Sequence, residues 1–404
     1  MTGKTAWSPH YQQLVRIRNA SGATIDQAML AFHPAPHSYT GEDLAEISCH
    51  GNPLIVKTIL DAIRAMGLAR PAQKGEFTRR AYLNGKLDLA QAEAVGALIE
   101  AQSLTGIEMA RNLLAGDLSV VVQGIAMDLQ DIQADIEASF IAEDIEFDED
   151  SLIVRLGRVI DRLEGHARAG AAAASLYQGI TTIIAGLPNA GKSSLFNVLL
   201  GFNRAIVHEE EGTTRDIIKE HVILNGIDFM FHDTAGIRDT STGSERIGID
   251  RTIEAIRESD LLLYVVDAVK GIQDDEFRWL ALGRKTIVVM NKMDLSTQAV
   301  ADIPGVDTVR ISARCGQGID DLLAAMHRAF PQDLPQVFLE RHVYLLHQAL
   351  DALNSATGAR AGGLTMDVLT LDIQRAIQAL KAIIGEESTE DILDSIFSRF
   401  CVGK

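Results

Sequence analysis

The chain carries the stretch Gly186-Leu-Pro-Asn-Ala-Gly-Lys-Ser193, which fits G-x-x-x-x-G-K-[ST]. Residues of this type at this spacing bind polyphosphate. Backbone N–H groups of the glycine-rich turn point at the phosphates, and the dipole of a following helix favours negative charge. The Lys192 ammonium suits the β/γ-phosphates and the Ser193 hydroxyl suits Mg²⁺. The flanks agree with that chemistry. Ile180-Thr-Thr-Ile-Ile-Ala185 is a short apolar, β-branched run that predicts a buried strand. Ser194-Leu-Phe-Asn-Val-Leu-Leu-Gly201 predicts a helix stopped at a glycine. A chance match in a glycine-containing turn is the competing reading, and the motifs downstream argue against it.

Asn291-Lys-Met-Asp294 follows the apolar run Thr286-Ile-Val-Val-Met290. In guanine-nucleotide proteins an Asn-Lys-x-Asp after a strand reads the base. The Asp294 carboxylate can accept hydrogen bonds from the guanine N1–H and N2–H₂, a donor pair that adenine lacks, so adenine would leave a buried charge unpaired. Ile311-Ser-Ala-Arg314 follows another apolar stretch and resembles the Ser-Ala loop that closes over guanine. Taken alone, four letters ending in Asp describe many turns. In order and at domain spacing the set is specific.

Two segments between these motifs could sense the γ-phosphate. Asp233-Thr-Ala-Gly236 follows Ile227–His232, so Asp233 would stand behind Mg²⁺ and the Gly236 N–H would contact the γ-phosphate. Gly212-Thr-Thr-Arg-Asp216 supplies Thr214 as a second hydroxyl ligand for Mg²⁺. Asn225-Gly226, between Ile217–Leu224 and Ile227–His232, is a hairpin signal and predicts one antiparallel edge strand on an otherwise parallel sheet. Many small GTPases place a water-orienting Gln directly after Asp-x-x-Gly. Here Ile237 stands there and cannot orient water. Glu245 is the candidate replacement, with a solvated loop glutamate as the alternative. No arginine finger is evident, and a monovalent cation could supply its charge at the β/γ bridge.

The elements that must position these groups are legible in outline. A 404-residue chain predicts two to three domains, and 47% hydrophobic content is enough to build their cores. No apolar run approaches the roughly 18 residues of a membrane span, and the first residues lack the apolar core of a secretory signal. Three scattered cysteines, Cys49, Cys315 and Cys401, suggest neither a disulfide framework nor a zinc site, and a reduced cytoplasm fits. A net charge of −18 excludes indiscriminate nucleic-acid binding. RNA contact would need a local basic patch, for which the run Lys57 to Lys86 (with Arg64, Arg70, Lys74, Arg79 and Arg80) is the candidate and an ordinary solvated face the alternative.

Residues 11 to about 85 mix short strands, near Leu14–Ile17 and Ala28–Phe32, with turns and a helix over Pro53–Met66. From about 88 to 175 the pattern is helical. Leu118, Val122, Ile125, Leu129, Ile132 and Ile136 form one stripe, and Ile153, Leu156, Ile160 and Leu163 a second. The acidic stretch Glu143–Asp150 between them reads as a solvated turn before a helix, with a metal site as the alternative. Past Pro335 helix returns, with Leu346, Leu350 and Leu353, then Ile373, Ile377, Leu380 and Ile384, then Ile392, Ile396 and Phe400. Two helical stretches with unpartnered stripes flank a self-contained α/β segment. They are expected to pack on each other, with that segment inserted between them.

Gly75-Glu-Phe-Thr-Arg-Arg-Ala-Tyr-Leu-Asn-Gly-Lys-Leu-Asp-Leu-Ala-Gln-Ala-Glu-Ala94, Pro188–Ser193, Glu211-Gly-Thr-Thr-Arg-Asp216, Glu245-Arg-Ile-Gly248 and the ending Phe400-Cys-Val-Gly-Lys404 resemble the MnmE (TrmE) family of tRNA-modification GTPases, in order and over essentially the whole chain. The resemblance implies an α/β G domain with a P-loop and a mixed, mostly parallel sheet, inserted into an all-α helical domain and preceded by an α+β folate-binding N-terminal domain. The implied boundaries are 1–85 for the N-terminal domain, 86–176 and 333–404 for the two halves of the helical domain, and 177–332 for the G domain. The family opens with a further strand-rich segment, and this chain starts after it, so the first part of the N-terminal domain is expected to be missing.

The resemblance also implies the chemistry. A homodimer works in the cytoplasm with a flavoprotein of the MnmG (GidA) family, and the flavin is not in this chain. Together they add a (carboxymethyl)aminomethyl group to C5 of the wobble uridine of certain tRNAs, with carbon from a tetrahydrofolate derivative resembling 5-formyltetrahydrofolate. GTP hydrolysis is activated by K⁺ in place of an arginine finger. By motif position Asn189, Ala190, Gly191, Lys192, Ser193 and Ser194 contact the GTP phosphates, with Thr213 and Thr214. Asp233, Thr234, Ala235 and Gly236 follow, and Asn291, Lys292, Asp294, Ser312, Ala313 and Arg314 hold the base. Asn189, Lys192 and Glu245 are the catalytic set, Glu245 falling where the family's water-orienting glutamate lies. Ser193 and Thr214 hold Mg²⁺. The Asn189 side chain and main-chain groups at His208 and Glu210, with Thr213, hold K⁺, in a loop more acidic than is usual. Glu46, Lys86 and Lys404 match folate-contacting positions, and Cys401 has either a thiol role or a packing one. His50-Gly51-Asn52 departs from the usual His-Gly-Gly. Two other classes share some motifs. One is an Era- or Der-like ribosome-assembly GTPase, which would carry a KH-type RNA domain after the G domain. The other is a folate enzyme that merely borrows a G domain.

Overall fold

The computed structural model describes all residues except 3–6, 68, 142–147, 202–218, 233–252, 275, 284, 297–301, 332–333, 335, 337–338, 362–365, 402 and 404. In chain order the principal elements are β1 (Gln13–Arg18), β2 (Thr24–His33), β3 (Leu44–Ser48), α1 (Pro53–Ala65), α2 (Glu76–Leu83), α3 (Leu89–Glu100), α4 (Leu104–Ala115), α5 (Asp117–Ile141) and α6 (Glu149–Gln178). Then come β4 (Ile180–Ala185), α7 (Lys192–Leu200), β5 (Lys219–Leu224), β6 (Ile227–His232), β7 (Leu261–Asp267), β8 (Thr286–Asn291), β9 (Asp307–Arg310) and α8 (Ile319–Arg328). The chain closes with α9 (Glu340–Ala361), α10 (Met366–Ile384) and α11 (Glu390–Phe397). Two compact units result. One comprises residues 1–96, 114–127 and 377–404, the other residues 97–113 and 128–376.

In the first unit β1-β2-β3 form an antiparallel sheet. Alternation puts Val15, Ile17, Ala28 and Leu30 on one face, where Ile59 of α1 covers them. Asn52 caps α1 through its side chain, which accepts the Leu54 N–H, and Pro53 opens the helix where no N–H is needed. Helix α2 is absent from the sequence expectations because Glu-Phe-Thr-Arg-Arg-Ala-Tyr-Leu has no apolar stripe. Ions hold it instead. Arg70 grips Glu76 with two N–H groups at 2.7 and 2.8 Å, Arg80 adds a third at 2.6 Å and also reaches Glu42 at 2.8 Å. Arg79 pairs with Glu390 and Asp394. The basic run from Lys57 to Lys86 is therefore not a free cationic patch at its arginines: three of them neutralise acids of this chain.

The Asn84-Gly-Lys-Leu-Asp88 segment is a turn and a cap. The Asn84 amide donates to Thr40 O at 2.8 Å. Asp88 and Gln91 exchange hydrogen bonds at the start of α3, a capping box with Gln at its third helical position.

In the second unit a six-stranded sheet runs β5-β6-β4-β7-β8-β9. All neighbours are parallel except β5 against β6, the antiparallel edge that Asn225-Gly226 predicts. Asn225 and Gly226 take φ of 50° and 86°, the left-handed pair a two-residue hairpin demands. The tip of that hairpin is held from outside the sheet, because Thr105 of α4 donates its N–H to Gly226 O at 3.1 Å. Strands β4 and β7 are buried on both faces and read as continuous apolar runs.

The first helical stripe is buried throughout, from Leu118 to Ile136. The second is buried as expected at Leu156 and Leu163, while Leu152 and Val159 take the inward places expected of Ile153 and Ile160. Leu152, Leu156, Val159 and Leu163 are buried while Ile153 is 44% exposed. Asp148 sets this phase by capping α6 at the Ser151 N–H. The rest of the acidic stretch, residues 143–147, lies outside the described residues. Likewise Leu393 and Phe397 are the buried residues of α11, and Ile392 is 39% exposed. Asp128–Arg162 and Asp135–Arg155 pair α5 with an antiparallel α6, and α9 packs on α6. Among the described residues no single helix is long and apolar enough to cross a membrane; α4 and α5 reach that length together only across a 49° bend.

Glu76 sets an acid limit on the first unit. Hydrogen bonds from Arg70, the Gln73 N–H and Arg80 pull its pKa down from 4.5 to about 2. The folded state thus gains stability from this group above pH 4.5 and loses it as pH falls towards 2. Glu76→Gln should lower stability at neutral pH and flatten the decline over that window, as read by urea titration at a series of pH values.

Candidate active site

The phosphate-binding loop is built by backbone conformations few residues tolerate. Gly186 follows β4 at φ 142°, and a Cβ there would lie 2.1 Å from Val265 O on β7. Asn189 sits at φ 64°, in the left-handed region where Asn is tolerated. Gly191 caps α7 at φ 97°, and a Cβ there would meet Asn291 Nδ2 at 2.2 Å. The Lys192 Nζ donates to the carbonyls of Gly186 and Leu187, both at 2.8 Å, so the ammonium is held across its own loop. Helix α7 starts at Lys192 rather than Ser194, which puts Ser193 and Ser194 in its first turn.

On the base side, β8 ends at Asn291, whose side chain is 2% exposed and fully used. Its Nδ2 donates to Ala190 O at 2.9 Å, and its Oδ1 accepts the N–H groups of Lys292 at 2.8 Å and Ala313 at 3.0 Å. One carboxamide thus fastens the phosphate loop, the end of β8 and the Ser312-Ala313-Arg314 loop. Ser312 Oγ donates to Asp294 Oδ1 at 2.6 Å and so aims the carboxylate. Lys292 stands at φ 67° with its ammonium 2.7 Å from Asp267 Oδ2 at the end of β7. Burial raises the Asp267 carboxyl, but the Lys292 hydrogen bond, the Val269 N–H and the charges of Lys292 and Lys270 outweigh it and hold the group below the usual carboxylate range. Asp267 is missing from the sequence expectations; an acid closing an apolar strand beside Asn-Lys-x-Asp was the available signal. Gly318 backs the base loop, with Arg310 O only 2.1 Å from where a Cβ would stand.

The expected residues Asn189, Ala190, Gly191, Lys192, Ser193 and Ser194 therefore share one loop and helix start. Asn291, Lys292, Asp294, Ser312 and Ala313 form one hydrogen-bonded cluster, linked to that loop through Ala190. Arg314 follows in the same turn. His208, Glu210, Thr213, Thr214, Asp233, Thr234, Ala235, Gly236 and Glu245 lie outside the described residues, as does Lys404. Glu46 is on β3, exposed, with His33 Nε2 at 3.6 Å. Lys86 Nζ donates to Pro36 O at 3.2 Å. Cys401 is exposed, and its carbonyl accepts the Gly75 N–H at 3.3 Å. Among the described residues no cluster of His, Cys, Asp and Glu could hold a metal ion.

A family model described as the MnmE helical domain matches residues 89–401, and one described as the GTP-binding protein TrmE N-terminus matches residues 1–86. The tRNA modification GTPase MnmE of Azoarcus sp. is 41% identical over 414 residues, covering 98% of this chain and 90% of that protein. The chain belongs to the MnmE family. The MnmE of Aquifex aeolicus is 37% identical over 407 residues, covering 98% of this chain and 91% of its own length. Among solved structures, the G domain of the T. maritima FeoB iron transporter matches 37% of this chain and 98% of its own at 23% identity, with a TM-score of 0.28; nothing further rests on that likeness.

Asn291→Ala would leave the Ala190 carbonyl and the Ala313 N–H buried without partners. We expect a loss of roughly 2 to 4 kcal/mol in unfolding free energy together with much weaker GDP binding, measured by denaturant titration and calorimetry. Wild-type values for both would show that the carboxamide does not join the two loops.

Proposed function

We propose that this chain is a K⁺-activated GTP hydrolase that acts with a flavin-dependent partner to add a (carboxymethyl)aminomethyl group to C5 of the wobble uridine of certain tRNAs. Family membership carries the coarser statement, that the chain is a GTPase of tRNA modification. The Asn291 cluster is the observation that supports the nucleotide half most directly, since it joins a phosphate loop to a loop carrying an aimed carboxylate. The Asp294 carboxylate accepts the guanine N1–H and N2–H₂. The loop N–H groups and Lys192 hold the β- and γ-phosphates. Glu245 orients a water in line with the γ-phosphorus; the water oxygen bonds to phosphorus as the bond to the β-phosphate oxygen breaks, and GDP leaves.

The donor set suits the expected ions. Hydroxyl oxygens of Ser193 and Thr214 are hard ligands for Mg²⁺, and the carboxamide oxygen of Asn189, with His208, Glu210 and Thr213, suits K⁺. When bound, these ions neutralise charge developing between the β- and γ-phosphates. We read residues 1–85 as a tetrahydrofolate-binding and dimerisation domain, with Glu46, Lys86 and Lys404 as its ligand contacts. Residues 86–176 and 333–404 make the helical domain and 177–332 the G domain. The chain then works in the cytoplasm as a homodimer with an MnmG-family flavoprotein. The Era- or Der-like alternative is not favoured, because the segment after the G domain falls inside the match to the MnmE helical domain.

GTP turnover should be faster in K⁺ than in Na⁺ and rise further with protein concentration; a cation-indifferent rate would exclude K⁺ activation. Asp294→Asn should shift preference from GTP towards xanthosine triphosphate, and unchanged GTP affinity would remove its base-reading role. Glu245→Ala should bind GTP normally and hydrolyse it slowly, by roughly 10² or more if it alone positions the water.

A further inference from the structure

The last helix of the chain is held by α2 at three successive points, and two of them are glycines with no space for a side chain. Ahead of α11, Tyr82 OH donates to Gly385 O at 2.7 Å. A Cβ at Gly385 would stand 2.6 Å from Leu89 Cβ and 2.8 Å from that hydroxyl. Along α11, Arg79 pairs with Glu390 and donates to Asp394 Oδ1 at 2.8 Å. At its end, Gly75 takes φ 63°, and a Cβ there would lie 2.9 Å from Phe397 O and 3.1 Å from Phe397 Cβ. The Gly75 N–H then donates to Cys401 O at 3.3 Å. Beneath this, Leu393, Phe397 and Phe400 pack on Leu89 and Ala92.

Helix α11 has eight residues, too few to be stable alone, so its place comes entirely from these contacts. The arginine fork and the two close glycine approaches add fixed points to that packing.

We propose that α2 is a clamp that sets the position of α11 and the turn after it, with Gly75 and Arg79 as positioning residues for Cys401. This explains why Gly75-Glu-Phe-Thr-Arg-Arg80 combines opposite tasks. Glu76 and Arg80 anchor α2 to its own neighbourhood, which leaves Arg79 and Gly75 to hold α11. The functional consequence rests on the folate reading above: a displaced tail would weaken binding of a tetrahydrofolate derivative without disturbing GTP.

The test uses the full chain as wild type, Gly75→Ala, Arg79→Glu and the charge exchange Arg79→Glu with Asp394→Arg. The first measurement is calorimetric titration with 5-formyltetrahydrofolate, with affinity for a non-hydrolysable GTP analogue as the control. We expect Arg79→Glu to weaken folate binding roughly tenfold, the exchange to recover most of it, and GTP-analogue affinity to hold throughout. The second measurement is the labelling rate of the Cys401 thiol in a Cys49→Ala, Cys315→Ser background. It should change several-fold in Gly75→Ala and Arg79→Glu and return in the exchange. If wild type binds no folate, the folate reading fails while thiol labelling still decides the clamp. Labelling rates equal to wild type in both single variants would overturn the clamp, as would folate affinity left intact in a chain that binds folate.

Discussion

A single buried carboxamide ties together the two halves of the nucleotide site. Asn291 leaves the end of β8 with every polar atom of its side chain committed, to Ala190 on the phosphate side and to Ala313 on the base side. Neither loop has a regular ladder of its own at that point. Each is held because a buried donor or acceptor left unpaired would cost as much as the interaction it loses. Gly191 follows from the same constraint, since any side chain there would displace the carboxamide. Lys292 and Asp267 add a second tie between the ends of β7 and β8.

The β5–β6 ribbon gives this site a physical route to the flanking helices. Its two strands border the segments that carry Thr213, Thr214 and Asp233, and its tip is fastened to the first turn of α4 by Thr105. Two residues beyond the same tip the buried Asp228 meets His221 at 2.9 Å and crowds Gly179, where α6 gives way to β4. The start of α4 and the end of α6 therefore both touch the ribbon in the half that carries its tip.

In unit one, beside its apolar cores, a different force helps to place α2. That helix buries Ala81 and packs Tyr82, and charge pairing through Arg70, Glu76, Arg79 and Arg80 adds to this. Charge pairs on a half-exposed surface are individually weak. Their sharing of partners, with Glu76 taking two arginines and Arg79 taking two acids, gathers them into two small networks.

The local backbone of the two candidate nucleotide motifs was legible in the sequence. Gly186–Ser193 and Asn291–Asp294 are local backbone solutions, and local solutions leave residue-type signatures: glycine where φ is positive, Asn-Gly where a ribbon reverses, β-branched runs where a strand is buried. The buried stripe from Leu118 to Ile136 was legible for the same reason, since a helix repeats its inward face every three or four residues. The inward face of α6 and α11 was legible only in part, at Leu156, Leu163 and Phe400, because a cap such as Asp148 or a neighbour such as Leu89 selects between adjacent apolar residues. Nor were the partners of Arg79, the aiming of Asp294 by Ser312, or the pairing of Lys292 with Asp267. Those depend on residues 18 to more than 300 positions apart being brought within 3 Å. Residue order alone therefore determined which nucleotide-binding motifs this chain carries and most of the segments that are strand or helix. Only the tertiary structure decided which charges neutralise one another and which side chains join separate loops, because those choices are made by proximity in space, and spacing along the chain does not record it.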